Sequence, residues 1–315
     1  MTSLRELNGA VFPILTAFTE DGSLDLDATA AYVDKLVQGG AQTLMTTVGT
    51  SRFNLLTNDE IKQINARLAA TIDGRATFIA ASPMTGAFDL QLDFAKHAKA
   101  TGADAFIAFY PERWYGDEHL KTFFYNLADQ AGLPIMIHEM PMRSGLGGVA
   151  QYSLDLLDTL IAHPMIVGMK EECMDAGYAY KIHKRLRGRC GIIGAGSMRN
   201  FLRDSAAGSQ AYLVGVGSFF PQVANTFAAL VNAGDVHAAR DIMRRYEEPY
   251  FDRAVSFGWH IALKETLSII GLMPAHERAP LARVGAEGRQ ALETLLRDEL
   301  GWLDLAYDHV PSVST

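Results

Sequence analysis

Hydrophobic residues in the first two-thirds of the chain come in short, nearly unbroken runs, separated by longer stretches whose apolar positions recur with helical spacing. The runs are GAVFPILT (9–16), TLMTTVG (43–49), TFIAASPM (77–84), DAFIAFYP (104–111), PIMIHEMP (134–141), IVGMKEEC (166–173), CGIIGAG (190–196) and AYLVGVG (211–217). Most lack polar alternation, which is the pattern of parallel strands covered on both faces. The segments between them, such as LDATAAYVDKLVQGG and LTNDEIKQINARLAATIDG, are amphipathic, and in the second Thr57 with Glu60 forms a capping-box signature. Eight strand–helix units predict an α/β fold closed as a (β/α)8 TIM barrel rather than an open doubly wound sheet. No GxGxxG opens the first helix, and GVGSFF at 215–220 lacks the third glycine. Beyond about residue 220 the chain reads as helices only, through FAALVNAG, ARDIMRRYEEPYFDRAV, IALKETLSIIG and EGRQALETLLRDELGWLDLAY. The expected organisation is a barrel over 1–225 and a C-terminal helical extension over 226–315, packed together because no Pro/Ser-rich linker separates them.

Composition narrows the setting. Of 315 residues 49% are hydrophobic, a globular proportion, and no segment is apolar for long enough to span a bilayer. The beginning, MTSLRELNGAVFPILTAF, carries Arg5 and Glu6 and a proline within its short apolar run, unlike a secretory signal. Cys173 and Cys190 have no CxxC spacing, so neither a disulfide framework nor a structural zinc motif is expected, and a cytoplasmic location fits. A net charge of −8 speaks against a nucleic-acid surface. The one basic run, KIHKRLRGR (181–189), reads as the solvated face of a helix.

The chemistry centres on IVGMKEE (166–172), where Lys170 ends an otherwise buried strand. In barrels of this kind the strand C-termini carry the chemistry. Desolvation there favours a neutral amine, the form that attacks a carbonyl.

Other strand ends share a resemblance. LTAFTEDGSLD, VGTSRFNLLTNDEI, FIAFYP, IHEMPMRSG, VGMKEE, the glycine-rich GAGS and GVGS, and LKETLSIIGLMPAHERAPLARV fall in the order of motifs of the dihydrodipicolinate synthase/N-acetylneuraminate lyase family. The chain resembles that family over nearly its whole length. The resemblance implies that Lys170 forms a Schiff base with the ketone of a 2-oxo acid. Thr50 and Ser51, aligned with the two threonines of GTTGE, would hold the substrate carboxylate, with Arg52 beside them. Tyr110, aligned with the second tyrosine of PYY, would cross a subunit contact into a neighbour's proton relay. Arg143 would lie at the mouth, and Glu172, Gly196, Ser197 and Gly217 would complete the substrate-contacting set.

Departures from the family pattern are equally informative. The proton-passing tyrosine is replaced by His138 and its neighbour asparagine by Glu139. The glutamate of GTTGE becomes Phe53 and the preceding glycine Arg52, while Ser197 and Met198 stand where relatives place residues that contact substrate hydroxyls. Additional residues fall between His138 and Lys170, around GLGGV. His138 is expected to carry protons with a near-neutral pKa, Glu172 or water being the alternative carrier. The expected activity is that of a lyase, an aldolase or dehydratase acting on pyruvate or a 2-oxo-3-deoxy sugar acid. Its expected partners are that small molecule and further copies of the chain, as a homotetramer or homodimer. No cofactor and no metal is expected. Two other readings stand beside it: a non-catalytic 2-oxo-acid-binding protein, and a metal-dependent lyase using His138, Glu139 and Glu172.

Overall fold

In the computed structural model the described residues are 3–84, 86–110, 114–139, 142–143, 149–173 and 175–303. Ten strands occur among them: β1 (Gly9–Pro13), β2 (Thr43–Met45), β3 (Thr77–Ala81), β4 (Ala105–Phe109), β5 (Ile135–Glu139), β6 (Met142–Arg143), β7 (Val149–Ala150), β8 (Ile166–Glu171), β9 (Gly191–Gly194) and β10 (Ala211–Leu213). Eight of them close a barrel in the order β1-β10-β9-β8-β5-β4-β3-β2. Every pair in the barrel is parallel, and β6 and β7 form a separate antiparallel ribbon between β5 and β8. Residues 144–148, where most of the GLGGV insertion falls, lie outside the described residues.

All eight expected strands are present, and each stops two to four residues before its apolar run ends. The described residues among this surplus leave the sheet as βα turns at the C-terminal end of the barrel. They read as strand because those turns are themselves buried, as at Val48, Tyr110 and Val214.

Helices α1 (Leu26–Gln38), α2 (Asn58–Ile72), α3 (Phe88–Thr101), α4 (Asp117–Ala131), α5 (Leu154–Ile161), α6 (Ala176–Leu186), α7 (Met198–Ser205) and α8 (Pro221–Ala233) surround the barrel. The capping box of α2 is complete, with Thr57 accepting from the Glu60 N–H and the Glu60 carboxylate accepting from the Thr57 N–H. The run 181–189 keeps Lys181, Lys184 and Arg185 exposed on α6 but turns Ile182, His183 and Leu186 inward. Helix α8 runs through the expected boundary at 225 and packs on β1, so it belongs to the ring of barrel helices. The extension follows as α9 (Val236–Ile242), α10 (Glu248–Ala254), α11 (Trp259–Ile269) and α12 (Ala286–Thr294), with π-helical turns at Met243–Glu247 and Leu295–Glu299. It packs directly on the barrel: Trp302 meets Phe219 and Phe220, and the Lys264 ammonium lies 4.4 Å from the centre of the Phe18 ring. No described helix is long and apolar enough to cross a membrane.

Gly168 fixes how β8 sits. A Cβ there would collide with the Gly191 carbonyl and come within 2.9 Å of Met136 Cε. The glycine of the G-x-K segment thus lets β8 approach β9 closely, two residues before Lys170.

Candidate active site

Strand alternation brings the central residues together. Lys170 and Glu172 are two apart and face one side, and His138 on β5 pairs in register with Lys170. The Lys170 Nζ lies 2.6 Å from Glu172 Oε2 and 3.1 Å from His138 Nε2, and the third side of the triangle, His138 Nε2 to Glu172 Oε2, is 2.6 Å. Lys170 and His138 are buried, at 2% and 4% exposure, whereas Glu172 is half-exposed and opens the triangle to solvent. Phe109, at the end of β4, packs on the His138 ring with centroids 4.4 Å apart.

Which group donates to which depends on the imidazole tautomer. When the imidazole carries its proton on Nδ1, Lys170 donates to Nε2; in the other tautomer Nε2–H donates to Glu172. His138 Nδ1 is buried and makes no hydrogen bond among the described residues. Burial and the adjacent Lys170 charge push the His138 pKa down to about 4, against the pull of the Glu172 carboxylate. The near-neutral value expected of an unperturbed histidine is therefore not what this environment gives: the resting imidazole is neutral. Burial alone would raise Glu172, but the Lys170 ammonium and the His138 hydrogen bond hold its carboxyl well below the usual carboxylate range. Glu139, one residue along, points to the opposite face of β5, where burial and the charge of Glu171 raise its carboxyl to about 7.

In the turn after β2, the Ser51 and Arg52 side chains have partners within the protein. The Ser51 hydroxyl donates to the Ile14 carbonyl at 2.5 Å and accepts from the Thr47 N–H at 2.9 Å. Thr50 is buried, and the neighbouring Thr47 hydroxyl is buried without a hydrogen-bond partner among the described residues. Arg52 adopts φ 61°, the left-handed conformation for which the resemblance supplies glycine. Its guanidinium is buried, at 1% exposure, and points into the extension. There it donates to Glu277 at 2.6 and 3.1 Å and to the His260 carbonyl at 2.9 Å, with Thr50 O at 3.2 Å. Such bonds offset the cost of left-handed backbone, about 1–2 kcal/mol for a residue with a Cβ. Arg52 thus holds the turn to the extension, with its donors committed there.

The remaining expected residues disperse. Tyr110 follows β4, packs edge-on against Phe123 at 5.3 Å, and pairs its hydroxyl with the Tyr115 backbone; burial raises its pKa. Gly196 and Ser197 line a cavity of about 510 Å³ together with Arg199, Asn200, Glu247 and Trp259, a cavity that Lys170 does not line. Ser197 caps α7 by accepting from the Asn200 N–H. Gly217 is pressed against α8, where a Cβ would stand 2.6 Å from Ala224 Cβ. Arg143 lies on β6, and its side chain falls outside the described residues.

Sequence reasoning missed His260. Its imidazole, on α11, is the nearest contact to a Cβ placed on Gly49, at 3.3 Å, and it feels the charges of Lys170 and Glu172. Burial and the Arg52 charge push its pKa down to about 4. Nothing in the sequence around it signals this, because a helix 90 residues after Lys170 delivers it.

A family model described as the dihydrodipicolinate synthetase family matches residues 6–299. The chain is 27% identical over 282 residues to 4-hydroxy-tetrahydrodipicolinate synthase 1 of Streptomyces coelicolor, covering 87% of this chain and 88% of that one. It is also 27% identical over 292 residues to a protein of Streptomyces avermitilis described as a probable 5-dehydro-4-deoxyglucarate dehydratase 2, covering 90% and 85%. Among solved structures, YagE of E. coli K12, a prophage protein of the dihydrodipicolinic acid synthase family in complex with pyruvate, superposes with TM-score 0.81 at 23% identity over 94% of this chain and 99% of that one. With a (β/α)8 barrel, a lysine closing the strand that the motif order requires, and a family match running from the first turn to the last helix, this chain belongs to the dihydrodipicolinate synthetase family.

Proposed function

We propose that the protein is a class I lyase, an aldolase or dehydratase that forms a Schiff base between Lys170 and pyruvate or a 2-oxo-3-deoxy sugar acid. The observation that carries this reading is the triangle of Lys170 Nζ, His138 Nε2 and Glu172 Oε2, with sides of 2.6, 2.6 and 3.1 Å. Passing a proton from Lys170 through His138 to the half-exposed Glu172 and solvent yields the neutral amine, with the imidazole returned to its neutral form. The amine adds to the substrate C2 carbonyl, whose oxygen leaves as water, giving an imine. Protonated, that imine draws electrons from C3. Removal of a proton from a C4 hydroxyl then breaks the C3–C4 bond, releasing an aldehyde and leaving an enamine. Alternatively, loss of a C3 proton expels the C4 hydroxyl as water. In both branches His138 and Glu172 carry the proton.

Thr50 and the backbone N–H groups of its turn are the proposed carboxylate cradle, with the Thr47 hydroxyl beside them. The cavity bearing Gly196, Ser197, Arg199 and Asn200 supplies polar groups for the distal hydroxyls of a sugar acid. Trp114 and Tyr115, 37% and 64% exposed next to Tyr110, support assembly as a homodimer or homotetramer. Borohydride reduction in the presence of pyruvate, followed by peptide mass mapping, tests the reading. One pyruvate-derived adduct per chain on the peptide containing Lys170 is expected. An adduct on another lysine, or none with any small 2-oxo acid, would overturn it.

A further inference from the structure

On the outer face of β8, turned away from the Lys170 triangle, three ligand-type side chains from three elements converge in the protein interior. Glu171 comes from β8, His183 from α6 and Asp204 from the last turn of α7, and all three are buried. One ligand atom from each lies within 4.8 Å of the others. His183 is fully buried, yet neither of its ring nitrogens makes a hydrogen bond among the described residues, and Glu171 Oε2 likewise has none. The two face each other at 3.7 Å, His183 Nε2 to Glu171 Oε2. That is too long for a hydrogen bond. It is close to the edge of a tetrahedron with metal–ligand bonds of about 2.0–2.1 Å, which measures about 3.3–3.4 Å.

Charge points the same way. Two buried carboxylates and an imidazole meet with Arg203 as the cation paired to them, bound to Asp204 at 2.7 and 2.8 Å. Burying charge in this way is costly unless it is paired or coordinates a metal. Arg203 reaches the cluster from a half-exposed position at its edge, and Glu171 Oε1 accepts from the Cys173 N–H, while Glu171 Oε2 has no hydrogen-bond partner among the described residues. A carboxylate has about four lone-pair positions, so Asp204 can keep its arginine and still accept a ligand bond.

We infer that Glu171, His183 and Asp204 form a binding site for a divalent transition ion of the zinc class, with solvent as the fourth ligand. A mixed imidazole and carboxylate set suits such an ion better than magnesium or calcium, which favour all-oxygen shells. The role is structural. The ion ties β8 to α6 and α7 immediately behind Lys170, and no step of the proposed chemistry passes through it.

The test uses the full-length protein, stripped with a chelator, dialysed, and titrated with zinc(II) and separately with cobalt(II) as a spectroscopic probe. Expected are one equivalent of zinc per chain retained through gel filtration, a raised Tm, and cobalt d–d bands of the intensity of a four-coordinate N/O site. His183→Gln and Glu171→Gln should each weaken zinc binding at least tenfold, whereas Lys170→Ala should bind zinc as the parent does. Folded parent protein that retains no stoichiometric zinc, or unchanged binding in folded His183→Gln, would overturn the inference. If neither cluster variant folds, the parent cobalt spectrum decides: weak bands like those of aqueous cobalt overturn it.

Discussion

The chain buries two lysines beside a glutamate, and only one of them has an imidazole within reach and a carboxylate that opens to solvent. Lys170 and Lys264 are 2% and 1% exposed, and their nearest carboxylate oxygens, on Glu172 and Glu277, lie at 2.6 and 3.4 Å. The difference is in what else each meets. Lys264 donates to the His276 carbonyl at 2.5 Å, lies over the Phe18 ring, and faces a glutamate already held by Arg52. Burial and the charge of Arg52 push its pKa down to about 8 against the pull of Glu277, yet every neighbour is a fixed acceptor or another cation. Lys170 faces a neutral imidazole within hydrogen-bond reach and a half-exposed carboxylate that opens toward solvent. A depressed pKa does not make a reactive lysine. On the proposed reading, a proton relay within reach and a path to solvent are what set Lys170 apart.

The sharpest way to break this comparison is to remove Lys170. Lys170→Ala should abolish both turnover and borohydride trapping, while Lys264→Met should leave trapping stoichiometry at one per chain. Trapping that survives Lys170→Ala and disappears in Lys264→Met would reverse the assignment. Next in size, His138→Ala should lower kcat about 10²–10⁴-fold, the usual contribution of a positioned general base, with adduct formation at Lys170 retained. Full turnover in that variant would make the imidazole a spacer and leave the proton to Glu172.

At the other lysine, Arg52→Met should destabilise the fold by about 3–5 kcal/mol in chemical denaturation, because it strands a buried carboxylate beside one remaining cation. A loss of less than about 1 kcal/mol, the scale of an exposed pair, would show the Arg52–Glu277 contact to be incidental.

The smallest effect is on stability against pH, where both sites have the same sign but different windows. The pKa of His138 falls from 6.5 to about 4 on folding, so the unfolded chain binds the extra proton more readily. Its stabilising contribution is complete above 6.5 and is lost as the pH drops through about 4. Lys264 is lowered from 10.5 to about 8, so its neighbourhood gains stability as the pH rises between those values. Thermal melts should show the first slope flattened in His138→Gln and the second in Lys264→Met. Unchanged slopes would mean that neither group is buried in solution.

The barrel was legible because strands covered on both faces leave unbroken apolar runs, a pattern no surface requirement interrupts. Strand ends were not, since the βα turns are as buried as the strands, and Val48 and Tyr110 look like continuations. At the site, Lys170 was singled out by its position at a strand end and Glu172 by the resemblance, but their meeting with His138 depends on a strand register that sequence does not give. Arg52 stood out as a residue in a glycine's place. Its partner Glu277 lies 225 positions away, and no local pattern links them. His260 has the same cause. The convergence of Glu171, His183 and Asp204 is likewise a product of three elements, and no spacing among them announces a ligand set.

The Arg52 guanidinium has a consequence for recombination among relatives. It spans the seam at which one would cut this chain to exchange its terminal helices for those of another protein. A graft that brings its own helices without a carboxylate at the place of Glu277 would leave an arginine sealed in the interior, on a backbone twist that only its contacts sustain. Turn and extension should therefore be exchanged as a pair, and a chimera respecting this would place glycine at position 52 when it discards Glu277.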